Sequence, residues 1–238
     1  TVSYTYSRKE VLAFSDHHKK LIAFCTEHLK NESEPLNITW KVDEGKPVSD
    51  IIIKNVKELK AEFIVVGAKG GSRLRKILLG SSTTALINTA TCPVLVVPED
   101  AYFRGIKKIV YATDFEGVDI FTIENLVRLA EPFKADVHLV HVFAKKSETS
   151  ENQMDWFKGM LKHKVSYERI KFEIRYGDNI FSTLQKYINE IEPDLFAMLE
   201  RENHSLIKNL GHYDLVKRMK NEGHIPLLSY HKKNVGVI

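Results

Sequence analysis

The sequence predicts an α/β protein in which helices cover both faces of a mostly parallel sheet, built as two related halves. Three observations predict it. Short apolar runs rich in β-branched residues alternate with longer segments of helical spacing. Several of those runs are apolar at consecutive positions, as strands buried on both faces are. The chain also resembles itself when slid by 132 or 133 residues.

In chain order, strands are expected at 38–42 (ITWKV), 62–67 (EFIVVG), 93–97 (PVLVV), 107–112 (KKIVYA), 136–142 (DVHLVHV), 170–175 (IKFEIR), 194–199 (DLFAML) and 225–230 (IPLLSY). Helices are expected at about 8–31, 48–60, 81–90, 118–132, 151–166, 179–191 and 204–222. This strand–helix alternation is the pattern of a parallel sheet whose crossovers are helices.

At a shift of 133, Glu62-Phe63 falls on Leu195-Phe196 and Pro93 on Pro226, each proline opening an apolar run. At a shift of 132, ITWKVDEG (38–45) lies over IKFEIRYG (170–177) and Val48 over Ile180. The boundary falls near Ala101–Gly105, giving a first domain at 1–103 and a second at 104–238. The second half runs complete from Lys107. The first starts at its second helix, without a counterpart of KKIVYATDF…ADVHLVHVF. A sheet without a central strand exposes apolar faces and backbone, so the expectation is a chain truncated or incompletely represented at its N-terminus.

Composition narrows the function classes. The 238 residues are 43% hydrophobic and 28% charged, with mean hydropathy -0.23. The net charge of +4 comes from 35 basic and 31 acidic residues without a basic stripe, which argues against nucleic acid. No apolar run reaches the ~20 residues of a membrane span, and TVSYTYSRKE is no signal peptide. Cys25 and Cys92 stand far apart and outside any CxxC spacing, which reads as two reduced thiols. The expectation is a soluble, cytoplasmic protein with no nucleic acid and no membrane as partner.

Chemistry concentrates in VVGAKGGSRLRKILLGSSTTALINTATCPVLVV (65–97). Gly67, Gly70, Gly71 and Gly80 lie there, four of the chain's twelve glycines. A glycine at a strand end lets backbone approach a ligand with no Cβ between. Gly70 and Gly71 let successive amides turn to one concavity. Gly80-Ser81-Ser82 then opens a helix whose free amides and dipole attract an anion, with serine hydroxyls able to cap it or bind oxygen. A lone Gly-x-x-Gly makes only a tight turn; this one is longer and sits between strand and helix, where open α/β sheets bind ligands. Lys69, Arg73, Arg75 and Lys76 surround the loop, either as a solvated basic surface or as phosphate contacts.

Gly67-x2-Gly70-x9-Gly80-Ser81 resembles the ATP-binding signature of the universal stress protein (UspA-like) family in its tandem-repeat form, and LLGSSTTALINTATCPVLVVP and KKIVYATDF extend the likeness. The resemblance implies two adenine-nucleotide-hydrolase-like, Rossmann-like repeats, each on a parallel five-stranded sheet, the first lacking its opening strand–helix–strand. It implies that the repeats pair through their last strands, 93–97 and 226–230, as a pseudo-dimer, with a homo-oligomer as the other assembly. It further implies that Gly67 passes close to the ribose and that Gly70, Gly80 and Ser81 hold phosphate oxygens. Val66 would line the nucleoside pocket, Ser82 would add a donor, and ATP would be the ligand, with Mg2+ as its accompanying ion. The family's nucleoside-contacting Asp and second-strand end fall in the segment missing from the first repeat.

At the 133-residue shift, Gly67, Gly70, Gly80 and Ser81 fall on Glu200, Asn203, Tyr213 and Asp214. One like-charge pair at ~4 Å and an effective dielectric of ~20 costs about 4 kcal/mol, against about 1 kcal/mol returned by a helix start. The second repeat is therefore expected to bind no polyphosphate, with Asp114 a capping or turn residue. His138 and His141 lie three apart on a strand, on opposite faces, and do not share a metal. No nucleophile elbow and no Gly-Lys-Ser/Thr ending appear, so no catalytic residues are assigned and ATP hydrolysis would be weak and incidental. The expected function is an ATP-binding regulatory or stress-response protein. The rival is a structural interaction module acting through oligomer or partner contacts. An adenylyl-transferase-like enzyme ranks last.

Overall fold

The computed structural model describes residues 8–29, 37–68, 80–200 and 225–232. They resolve into two compact units, Thr1–Ile51 and Ile52–Ile238. The first contains α1 (Arg8–His28) and a stretch, 37–47, without helix or strand. Helix α2 (Val48–Leu59) begins in the first unit and continues into the second.

The second unit holds β1 (Ile64–Gly67), α3 (Ser81–Thr89), β2 (Val94–Val97), β3 (Lys108–Ala112), α4 (Gly117–Ala130), β4 (Asp136–Phe143), α5 (Glu148–Lys162), β5 (Ile170–Tyr176), α6 (Ile180–Ile191), β6 (Leu195–Glu200) and β7 (Leu227–His231). Seven strands form one sheet in the order β1-β2-β7-β6-β3-β4-β5. β2 and β7 run antiparallel and every other neighbouring pair is parallel.

The expected pairing of last strands is observed. Val94 faces Ser229, Leu95 faces Leu228 and Val96 faces Leu227. This register is two-fold symmetric about the Leu95–Leu228 pair, as a shift of 133 requires. The strands β7-β6-β3-β4-β5 make the complete five-stranded parallel sheet of the second repeat. The first repeat contributes β1 and β2.

Two expectations are corrected. Residues 38–42 form no strand. Their counterpart β5 exists through its pairing with β4, from Val137 opposite Ile170 to Phe143 opposite Tyr176; a strand is defined by its partner, and the described residues of the first repeat hold no counterpart of β4. The repeat offset also changes. The Ile64 amide donates to the Pro93 carbonyl (2.9 Å), as the Phe196 amide does to that of Pro226 (3.0 Å). Ile64 is thus equivalent to Phe196, a shift of 132, and Gly67 to Leu199 rather than to Glu200. The expected helix at 204–222 lies outside the described residues.

Two apolar layers sandwich the sheet. One packs α2, α3 and α6 through Val56, Leu86, Ile87, Leu184, Tyr187 and Ile188. The other packs α4 and α5 through Ile123, Leu126, Ala130, Phe157 and Leu161. Full burial of each large side chain here is worth about 2–3 kcal/mol. Helix α6 shows how local sequence sets these elements. Asn179 accepts the Ser182 amide (3.0 Å) at its start, and Glu192 ends it in a left-handed conformation just before Pro193.

Candidate functional site

Of the site residues read from the sequence, the structure describes Val66 and Gly67 at the end of β1 and Gly80, Ser81 and Ser82 at the start of α3. Gly67 is the last residue of β1, exposed and in register with Val97 at the end of β2. Val66 packs its side chain against the α2–α3 layer, so at this strand end it presents backbone. The chain leaves β1 at its carboxyl end and returns through α3 to the start of β2. The start of α3 therefore lies at the same end of the sheet as Gly67. Gly70, with Lys69, Arg73, Arg75 and Lys76, lies outside the described residues.

Gly80 is the residue before α3, at φ -57 and ψ 147, an extended conformation open to any residue. Its carbonyl accepts the Thr84 amide (3.0 Å), closing the first helical bond. The amides of Ser81, Ser82 and Thr83 precede that bond and have no acceptor within the helix. Gly80 has no side chain to offer them, and the first turn contains no acidic residue. Among the described residues no side chain caps this short helix start, an arrangement that suits a phosphate oxygen. Ser81 is exposed and Ser82 half-buried beside it.

In the second repeat the loop after β3, at the same end of the sheet, is held by its own side chains. Asp119, fully buried on α4, accepts the Tyr111 hydroxyl (2.7 Å), the Thr113 hydroxyl (2.9 Å) and the amides of Asp114 (3.1 Å) and Glu116 (3.2 Å). Thr113 Oγ1 in turn accepts the Phe115 amide (2.9 Å). Three successive amides of the loop after β3 are thus satisfied internally. Phe115 is buried in a left-handed conformation (φ 56), its ring centroid 4.9 Å from His141 and 5.1 Å from Phe157. Asp114, expected as a capping or turn residue, donates its amide into this network and its carbonyl accepts from Gln153 (3.3 Å); the carboxylate that organises the turn is Asp119. The sequence signal for Asp119 was its place three residues after Glu116 in a first helical turn.

The second repeat's equivalents of Gly67 and its neighbour are the buried Leu199 and the half-buried Glu200. Asn203, Tyr213 and Asp214 lie outside the described residues. His138 and His141 do face opposite layers: His138 Nδ1 pairs with the Tyr187 hydroxyl (2.7 Å) under α6, and His141 Nδ1 with the Thr113 carbonyl. Burial holds the His138 imidazole below its usual pKa. Among the described residues no group of three His, Cys, Asp or Glu side chains is placed to hold a metal, and no helix is long and apolar enough to cross a membrane. Cys25 and Cys92 are both free thiols, and burial pushes the Cys92 thiol up.

Residues 5–98 match the model of the Universal stress protein family. Over 60 residues the chain is 32% identical to the universal stress protein A-like protein of Arabidopsis thaliana, covering 25% of this chain and 34% of that one. Over 54 residues it is 44% identical to the universal stress protein MJ0531 of Methanocaldococcus jannaschii, covering 23% and 31%. The chain thus spans about a third of the length of the curated relatives it matches. Among solved structures, a universal stress protein from Archaeoglobus fulgidus DSM 4304 is similar with a TM-score of 0.69 at 16% identity, over 95% of this chain and 80% of that one. A putative universal stress protein from Pseudomonas aeruginosa UCBPP-PA14 gives 0.58 at 16% identity, over 92% and 80%. These structures share the fold.

Proposed function

We propose that this chain is an ATP-binding regulatory protein of the stress response whose first repeat holds the nucleotide, a reading that starts from the match of residues 5–98 to the Universal stress protein family. The observation that carries the reading is the start of α3. Its first-turn amides follow a residue without a side chain and meet no carboxylate in that turn, at the end of the sheet where β1 closes with Gly67. Gly80, Ser81 and Ser82 would hold phosphate oxygens through amides and hydroxyls. Gly67 would let the ribose pass close to the strand end, and Gly70 joins them on its sequence spacing. Bound nucleotide would supply the negative charge that the α3 dipole lacks, with Mg2+ sharing the phosphate oxygens.

The role is regulatory, not catalytic. Nothing in the motif positions a water or accepts its proton, and the P-loop lysine that neutralises transferring phosphate has no counterpart. The nucleotide would act by ordering the β1–α3 region, whose β2 strand is the one that pairs with β7. Calorimetric titration of the protein with ATP and Mg2+ tests this directly. One site per chain is expected, and an absence of heat up to high micromolar ATP would overturn it.

A further inference from the structure

Helix α5 carries an apolar stripe that the sheet does not use. Its buried side, Phe157 and Leu161, joins the layer it shares with α4, and Lys158 Nζ stands 5.4 Å from the centre of the Phe172 ring on β5. At about 3.6 residues per turn, Trp156, Gly159, Met160 and His163 fall together on the outward side. All four are exposed, Trp156 by 52% and Met160 by 44%. This face belongs to the repeat whose five strands are all in place. It lies at the β4–β5 side of the sheet, the opposite end from β1.

Gly159 is the second observation. It sits inside the helix without a positive φ, and among the described residues no atom lies within 4 Å of where its Cβ would stand. An interior glycine weakens a helix, and neither the backbone nor the packing of this chain requires one here. Beside two large apolar side chains, a glycine lets the axis of a second helix come close. The charges say which helix. α5 is acidic at its start, through Glu148, Glu151 and Asp155, and basic at its end, where Lys162, His163 and Lys164 are exposed. Helical spacing sets Glu148, Glu151, Asp155 and Lys162 along one flank of the stripe. Glu151 pairs with Lys146 (3.4 Å) and Asp155 with Lys158 (3.7 Å), surface contacts that exchange at little cost. Two copies of α5 laid antiparallel set the acidic flank of each against the Lys162 end of the other, with their dipoles opposed. Parallel, acid would meet acid.

We propose that the outer face of α5 is a self-association surface, on which a second copy of the chain docks its own α5 antiparallel, Trp156 and Met160 packing across Gly159. The contact is isologous, so it closes with two copies. It is distinct from the β2–β7 pairing, which joins the two repeats within one chain. It also stands apart from the nucleotide reading, since it uses neither β1 nor α3.

Sedimentation equilibrium of the purified protein should show a monomer–dimer equilibrium that weakens as salt rises. Trp156→Ala should raise the dissociation constant by about tenfold or more, as loss of a central aromatic anchor does. Gly159→Gln is the sharper variant. It should weaken the dimer as much while the melting temperature holds or rises, because a better helix former enters open space. Lys162→Glu and Asp155→Lys should each weaken self-association. Mixed together, the two variants should associate again, one supplying an acidic flank and the other a basic one. Three results would overturn the proposal: a protein that stays monomeric at every concentration, a dimer that survives both Trp156→Ala and Gly159→Gln, or charge variants that fail to associate on mixing.

Discussion

At the start of α3, three amides follow Gly80 with no side chain at the capping position and no acid in the first turn, while at the start of α4 the buried carboxylate of Asp119 gathers two amides and two hydroxyls. These places sit at the carboxyl ends of β1 and β3, the end of the sheet where ligands bind in this architecture. The two places are not counterparts, since α3 follows β1, the equivalent of β6, and α4 follows β3. Among the described residues no side chain caps the start of α3, whereas the loop before α4 donates its amides to a carboxylate of the protein itself. A carboxylate supplied by the protein and a phosphate supplied by a ligand answer the same electrostatic demand. The difference teaches that a loop at this end of the sheet can meet that demand from within the chain, and that the start of α3 is the place to test for a ligand.

The largest effect should come from removing the internal acid. Asp119→Ala strands the Tyr111 and Thr113 hydroxyls and two loop amides in the core, at a cost of about 4 kcal/mol by the worth of charged hydrogen bonds. Urea denaturation should show that loss, and ATP affinity of the surviving folded protein should stay within twofold. A stability change under 1 kcal/mol would mean that the network is incidental to the second repeat.

Gly80→Val attacks the other side of the comparison. The backbone there is extended, so valine fits without strain. Its branched side chain would stand in front of the α3 amides, and ATP affinity should fall at least a hundredfold, about 2.7 kcal/mol. Retained affinity in calorimetry would place the phosphates elsewhere.

A smaller effect concerns the polar core of the second repeat. His138 is buried against Tyr187, and its pKa is lowered chiefly by desolvation. The unfolded chain therefore binds a proton that the folded one resists. Stability should be unaffected above the ordinary imidazole value of ~6.5 and fall below it, by at most about 1.4 kcal/mol per pH unit until the depressed folded pKa is reached. His138→Gln should flatten that part of the profile when urea midpoints are compared at pH 7.5 and 5.5. An identical slope in both proteins would assign the acid sensitivity to another group.

The smallest expected effect is Asp214→Ala. If the second repeat binds no polyphosphate, ATP affinity and stoichiometry should not move beyond twofold. A gain of a second binding event would show that charge repulsion alone had closed that site.

The strand–helix alternation and the doubly buried runs were legible in the residues, and the pairing of last strands followed from the family resemblance. Period and β-branching report burial directly, and proline at 93 and 226 marks equivalent strand starts. The glycine spacing also carried its own physical reason, since the α3 start is open because Gly80 has no side chain. What misled was the segment 38–42, whose composition suits a strand that has no described partner, and the 133-residue offset at β1, where one residue of slip moves every side chain to the other face.

By itself, then, the sequence determined most of the strands and helices among the described residues, and that the residue before α3 brings no side chain to cap it, because those are local matters of periodicity and residue size. Only the tertiary structure decided that Gly67 answers to Leu199, and that Asp119 rather than Asp114 holds the loop after β3. Each of those depends on what a residue faces across the sheet, and pairing between distant segments is not written in either segment alone.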